Sequence, residues 1–190
     1  MSGERQVKIL YDERTIAERT EALAREIAAA KPKDLLVVAI LKGSFMFAAD
    51  LLRALHRAGL EPQVEFFHLS SYLTGTVSSG TVKILRDIES SVRDRDVLLV
   101  DDILESGRTL AFAKDLLTAR GARRVLVCTM LEKPGKRAVD INADFIGFVC
   151  PDVFVVGYGM DVAHSYRELP FIGRVVTAQD AAVSETVPGV

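Results

Sequence analysis

Several things that would steer the reading are scarce in this sequence. There are only two cysteines in 190 residues. Two cysteines cannot build a disulfide framework, and no Cys-x-x-Cys or Cys/His cluster suggests zinc. Cys128 and Cys150 each sit in an apolar run and read as reduced core thiols. The three histidines, His56, His68 and His164, are scattered without ligand spacing. Long apolar runs are missing too. The longest near the C-terminus is broken by Pro151-Asp152, so no segment is expected to span a bilayer. Met1-Ser2-Gly3-Glu4-Arg5 is polar and lacks the apolar core of a signal peptide. A cytoplasmic location is therefore expected. Nor is there an excess of charge of one sign. The net charge is −2 and the pI about 6.0, which argues against a general nucleic-acid or membrane-surface binder. What is present is ordinary: 49% hydrophobic and 26% charged residues, enough for one well-buried domain and short for two.

Strand and helix patterns alternate along the chain. Residues 7–10 alternate like a short strand. Thr15-Ile16-Ala17-Glu18 has the form of a capping box and predicts a helix start. Ile16, Thr20, Leu23 and Ile27 share one face of that helix, and Pro32 ends it. Residues 35–41 are almost wholly apolar, as in a central parallel strand covered on both faces. Lys42-Gly43-Ser44 follows directly. A second helix starts near Phe45, with Phe47, Leu51, Leu52 and Leu55 inward and Gly59 as its C-terminal cap. Residues 64–69 form the next strand. Residues 70–81, rich in Gly, Ser and Thr, have little to bury and predict a lid rather than a plain hairpin loop. Further strands are expected at 97–100, 125–131, 145–148, 154–156 and 172–176. One more helix follows Thr109, with Leu110, Ala113, Leu116 and Leu117 inward and Gly121 at its end. The tail 178–190 shows no sustained pattern and is expected to fray. This alternation predicts an α/β fold with a central parallel sheet flanked by helices.

Residues 97–110 organise the rest. Val97, Leu98, Leu99 and Val100 predict a short buried strand, and Asp101 and Asp102 follow at its C-terminal end. Then comes a small polar loop, Glu105-Ser106-Gly107-Arg108-Thr109, running into a helix. In open α/β sheets ligands bind beyond the carboxyl ends of the strands. A helix N-terminus offers unpaired N–H groups and the positive end of the dipole, which suit a phosphate. Gly107 lets the backbone approach, and the Ser106 and Thr109 hydroxyls can donate. One or both aspartates could accept hydrogen bonds from a sugar diol. The expected ligand is a phosphorylated sugar.

Val-Asp-Asp-Ile-Leu-Glu-Ser-Gly-Arg-Thr-Leu resembles the phosphoribosyl-pyrophosphate (PRPP) loop of the type I phosphoribosyltransferases. Leu41-Lys42-Gly43 resembles the pyrophosphate-binding loop of the branch that uses 6-oxopurines, which implies a cis peptide between Leu41 and Lys42. Ser71-Tyr72 resembles the pair that opens the family's flexible catalytic loop. Lys133, the run 154–161 and Tyr166-Arg167-Glu168-Leu169 together resemble the hypoxanthine (hypoxanthine-guanine) branch. The likeness covers nearly the whole chain, from Leu10 to about Val176.

The resemblance implies one phosphoribosyltransferase domain over 1–190, with a small hood built from the N- and C-terminal segments. It implies purine salvage: transfer of the 5-phosphoribosyl group from PRPP to hypoxanthine, and guanine as well, with release of pyrophosphate. Asp101, Asp102, Glu105, Ser106, Gly107, Arg108 and Thr109 would bind PRPP. Lys42, Gly43 and Arg167 would bind pyrophosphate, and Lys133, Phe154, Val155 and Asp161 the purine. Ser71 and Tyr72 would belong to the lid. Mg²⁺ would be the cofactor, with Asp101, Asp102 and Asp161 toward it. Glu105 stands where the family commonly has the Asp assigned as acid/base group at purine N7. A homodimer or homotetramer is implied. The base chemistry agrees, since a Lys ammonium suits the 6-oxo group and cannot accept from an adenine amine. Two alternatives remain at this point: a xanthine- or guanine-preferring relative, and an RNA-binding regulator of the same fold. The latter should show a basic surface, and Arg120, Arg123 and Arg124 make only a small cluster.

Overall fold

The computed structural model describes residues 6–71 and 82–176. The lid expected over 71–81, including Tyr72 and the side chain of Ser71, and the tail 178–190 lie outside the described residues.

The elements follow in the order β1 (Val7–Tyr11), α1 (Glu13–Ala29), β2 (Leu36–Leu41), α2 (Phe45–Arg57), β3 (Gln63–Ser71), β4 (Val82–Arg86), β5 (Asp96–Leu104), α3 (Arg108–Ala119), β6 (Arg124–Glu132), β7 (Phe145–Val149), β8 (Val155–Val156) and β9 (Ile172–Val175). Six strands form one sheet in the order β4-β3-β2-β5-β6-β7. All neighbours are parallel except the edge pair β3–β4. A separate antiparallel sheet, β1-β9-β8, draws on both ends of the chain.

The central strands are buried on both faces, and their two-residue period divides the core in two. Val37, Ala39, Leu98, Val100, Cys128 and Met130 pack with α1 and α2. Leu36, Val38, Val97, Leu99 and Val127 pack with Leu110, Ala113 and Leu117 of α3. Cys128 and Cys150 are free and buried. Burial raises both thiols above their ordinary values.

Helix α2 ends as its sequence predicts. Gly59, at φ 85°, donates to His56 O at 2.9 Å and Leu60 to Leu55 O at 3.0 Å, the paired bonds of a Schellman stop. Gly121 closes α3 in the same way, with bonds to Thr118 O and from Ala122 to Leu117 O. Helix α1 begins differently from expectation. Its N-cap is Asp12, whose carboxylate accepts from Thr15 N–H at 2.8 Å. Thr15 is thus the third helical residue, and Glu18 pairs with Arg14 instead of closing a capping box. A strand ending at Tyr11 leaves Asp12 as the first extended residue able to cap.

Three other expectations are corrected. Strand β5 does not stop at Val100. It runs through Asp101 and Asp102 to Leu104, because β6 goes on pairing with it: Asp101 with Thr129, Ile103 with Leu131, Leu104 with Glu132. Helix α3 starts at Arg108, before Thr109, with Gly107 as a left-handed N-cap. Strand β4, absent from the sequence reading, adds antiparallel to β3, so the sheet is mixed at one edge.

The small sheet is tied to the large one at β7. Tyr11 of β1 stacks on Phe148 with ring centroids 4.2 Å apart, and its hydroxyl donates to Val149 O. No described helix is long and apolar enough to cross a membrane.

Candidate active site

The chain order within the large sheet reverses between β2 and β5. From β2 it runs outward through β3 to β4, and from β5 the other way through β6 to β7. Such a switch point leaves a crevice at the carboxyl ends of the two strands. Here β2 pairs with β5 only as far as Ala39–Val100. Beyond that, β2 leaves through Leu41-Lys42-Gly43 while β5 continues. The Leu41–Lys42 peptide is cis, as the resemblance implies.

Two clefts open there. One, of about 320 Å³, is lined by Ile40, Leu41, Gly43, Leu69 and Leu110 together with Asp101, Asp102, Ile103, Glu105, Ser106, Gly107 and Thr109. The other, of about 470 Å³, is lined by Asp102, Ile103, Glu105, Lys133, Lys136, Asp152, Val153, Phe154, Val155, Met160 and Asp161. They share Asp102, Ile103 and Glu105.

The first cleft has the features of an anion site. Ala111 N–H makes the first helical bond, to Gly107 O at 2.8 Å. The N–H groups just before it, at the start of α3, therefore have no partner within the helix. No acidic residue occupies the first turn. Gly107 adopts φ 79°, and a Cβ there would lie 2.5 Å from Ile141 Cγ2. Only glycine combines that backbone with that contact.

Asp102 faces the α2 side, as its place two residues after Val100 requires. Its carboxylate lies against Gly43: a Cβ on Gly43 would be 1.7 Å from Asp102 Oδ2. Asp101 is buried, and its Oδ1 accepts from Asp102 N–H at 3.0 Å. Burial raises the Asp101 carboxyl well above its ordinary value, and the neighbouring Asp102 charge adds to this. Burial raises Asp102 as well, opposed by local hydrogen bonds and the charge of Arg167. Neither carboxylate has an ion pair among the described residues. No group of three or more His, Cys, Asp or Glu side chains gathers as a metal cage among those residues. Hard oxygens without an ion-pair partner suit a cation that also takes ligand oxygens from a bound phosphate ester.

In the second cleft Lys133 is buried, 6% exposed, with Nζ 3.7 Å from Glu105 Oε1. Phe154 stands open, 55% exposed, and Val155 is buried behind it. Asp161 accepts from His164 N–H at 2.8 Å and pairs with Arg167 Nη2 at 2.7 Å. Arg167 also donates to Gly159 O. It lines neither cleft, and nor do Lys42 and Arg108.

The segment carrying Asp161 is pinned by three consecutive left-handed residues, Gly157, Tyr158 and Gly159. A Cβ on Gly159 would lie 2.2 Å from Gly43 O, so this turn rests directly on the loop after β2. The Tyr158 hydroxyl donates to Asp50 Oδ2 of α2 at 2.6 Å.

Sequence reasoning missed Arg137. Its guanidinium donates to Leu104 O at 3.0 Å, Glu105 O at 2.8 Å, Lys133 O at 3.4 Å and Ile141 O at 3.2 Å, and it pairs with Glu132. It thus fixes the carbonyls beside Glu105 and Lys133 relative to one another. The five-donor fork of arginine is the only side chain with that reach. A lone Arg four residues after Lys133 was the single available signal. The basic cluster noted in the sequence is neutralised: Arg120 holds Asp87, and Arg123 and Arg124 hold the buried Asp96.

Known proteins are similar to this chain over most of its length. Residues 6–163 match the phosphoribosyl transferase domain model. The chain is 46% identical over 167 residues to the bifunctional protein TilS/HprT of Listeria monocytogenes and spans about a quarter, 25%, of that protein's length. It is 41% identical over 173 residues to the hypoxanthine phosphoribosyltransferase of Escherichia coli, covering 90% of this chain and 96% of that one. The crystal structure of a hypoxanthine-guanine phosphoribosyltransferase from Bacillus anthracis superposes with a TM-score of 0.84 at 40% identity, covering 90% of this chain and 100% of that one. A switch-point crevice with an anion loop on one side and a buried lysine on the other is thus built on a shared framework, and the chain belongs to the phosphoribosyl transferase family, among the hypoxanthine phosphoribosyltransferases.

Proposed function

We propose that this chain salvages purines by transferring the 5-phosphoribosyl group of PRPP to hypoxanthine and guanine, releasing pyrophosphate. One observation carries the reading: an anion cleft and a lysine-floored base cleft meet along Asp102, Ile103 and Glu105.

The 5′-phosphate sits on the loop Ser106-Gly107-Arg108-Thr109, where main-chain N–H groups and two hydroxyls can donate. Asp101 and Asp102 take the ribose hydroxyls. The Lys42-Gly43 backbone and Arg167 offset the charge of the departing pyrophosphate. In the base cleft Lys133 donates to the 6-oxo group, Phe154 stacks on the ring, and carbonyls near Val155 and Asp161 accept from the 2-amino group of guanine. Nitrogen of the base displaces pyrophosphate at the anomeric carbon through an oxocarbenium-like state. Glu105 manages the proton at N7. Mg²⁺, when bound with PRPP, adds positive charge at the pyrophosphate, and Asp101 and Asp102 would hold it, with Asp161 toward a second ion through water.

The working form is a homodimer or homotetramer in the cytoplasm. Val64, Phe66, Ile84 and Leu85 expose apolar surface on β3 and β4, which favours self-association. Product formation from PRPP and Mg²⁺ with hypoxanthine, guanine, xanthine and adenine, assayed side by side, tests the function. Turnover of the first two with adenine inert is expected. Equal use of adenine, or no turnover with any base, refutes it.

A further inference from the structure

Glu105 Oε1 has a second cation beside it that the base-binding scheme does not use. Lys136 Nζ lies 3.4 Å from it and 2.6 Å from Asp152 Oδ1. Lys133 Nζ approaches the same Oε1 at 3.7 Å. All four side chains line the base cleft.

The local chain explains the arrangement. Gly135, at φ 89°, reverses the path after Pro134 and brings Lys136 back over the end of β6. Arg137 then anchors the turn through Leu104 O and Glu105 O. Asp152 reaches in from the segment after β7, whose Cys150 N–H bonds to Glu132 O at 2.8 Å.

Lys133 cannot serve both partners equally. Once a 6-oxo group takes its ammonium, Glu105 loses part of its hold. A glutamate has one more rotatable bond than an aspartate, so its carboxylate needs a fixed partner to stay oriented. We propose that Lys136, bridged to Asp152, is a positioning residue that holds the Glu105 carboxylate toward N7 of the bound purine. This rests on the salvage reading above. Lys136 acts through Glu105 and does not touch the base.

The test uses the full chain with Lys136→Met and Lys136→Arg, each in the native background and in Glu105→Asp. Lys136→Met should lower kcat about tenfold with the KM for hypoxanthine and PRPP within about twofold, and Lys136→Arg should recover most of it. In Glu105→Asp the shorter carboxylate does not reach Lys136, so Lys136→Met should cost less than about twofold. An unchanged kcat, or an equal loss in both backgrounds, overturns the proposal. So does a raised KM for hypoxanthine at constant kcat, which would mean direct contact with the base. Crystal structures of native protein and Lys136→Met, each with hypoxanthine bound so that the Lys133 ammonium is engaged, read the same point without turnover. The Glu105 carboxylate should rotate away from N7 in the variant, and an unmoved carboxylate overturns the proposal. An inactive native enzyme would instead count against the salvage reading.

Discussion

Gly43→Ala separates stability from function in a way the structure lets one calculate. The new methyl would stand 1.7 Å from Asp102 Oδ2 and 2.5 Å from Asp102 Cγ, against an ordinary contact of at least 3.4 Å. Backbone is not the obstacle, so the carboxylate can rotate away. Overpacking relieved in this manner costs about 1–3 kcal/mol. For a chain of this size that lowers Tm by about 2–4 °C per kcal/mol, and the fold survives. The functional loss is larger in kind. A displaced Asp102 forfeits a charge-assisted hydrogen bond to the sugar, worth about 1.5–3 kcal/mol, or about 10- to 150-fold in kcat/KM for PRPP. Both effects should vanish when the obstacle is removed first. In an Asp102→Ala background, Gly43→Ala should change neither Tm nor kcat/KM appreciably. Differential scanning fluorimetry and initial-rate kinetics on the four proteins measure this. Native PRPP kinetics in Gly43→Ala, or an undiminished Tm loss in the Asp102→Ala background, would refute the reasoning.

Glu105→Gln should lower kcat at least about 10²-fold with little change in KM for PRPP, while Glu105→Asp keeps substantial activity. A Gln variant close to native would remove the acid/base role. Lys133→Gln should weaken hypoxanthine by about 1.5–3 kcal/mol and PRPP far less, and binding titrations of each ligand decide it. Asp96→Asn tests the opposite end of β5. Burial would raise the Asp96 carboxyl, but the Lys33 N–H bond and the Arg124 and Arg123 charges outweigh it and hold it below its ordinary value. Its contribution is therefore full above the unfolded carboxylate value of about 4 and is lost as pH falls through the lowered folded value. The Tm gap between native and Asp96→Asn should be widest near neutrality and close in acid. A gap that stays constant down to about pH 3 contradicts the assignment.

Much of this architecture is legible because its signals are local. A short unbroken apolar run closed by Lys42-Gly43 reads as a strand covered twice, and β2 is one. Gly59 and Gly121 stop their helices by conformations that other residues adopt at a cost. What sequence hides is pairing supplied from elsewhere. Asp101 and Asp102 look like the end of a strand, yet β6 continues alongside and keeps them in the ladder. Residues 82–86, mostly exposed, carry no inward face to betray β4. The capping box failed because Thr15-x-x-Glu18 is a good local match while the strand before it had already placed Asp12 at the cap. The acid loop and Lys133 were recognisable as motifs. Arg137 was not, since four of its partners are main-chain carbonyls and no side-chain pattern records them.

The narrow border between the two clefts has an evolutionary consequence. The first cleft is built from the ends of β2, β3 and β5 and the start of α3, and the second largely from residues 133–161. On the proposed salvage reading, substitutions at Val153, Val155 or Met160 should change the preferred base without disturbing the handling of the activated sugar. Asp102, Ile103 and Glu105 are exempt from that freedom, because each borders both chambers. Lineages that change their preferred base should vary around those three positions and leave them in place.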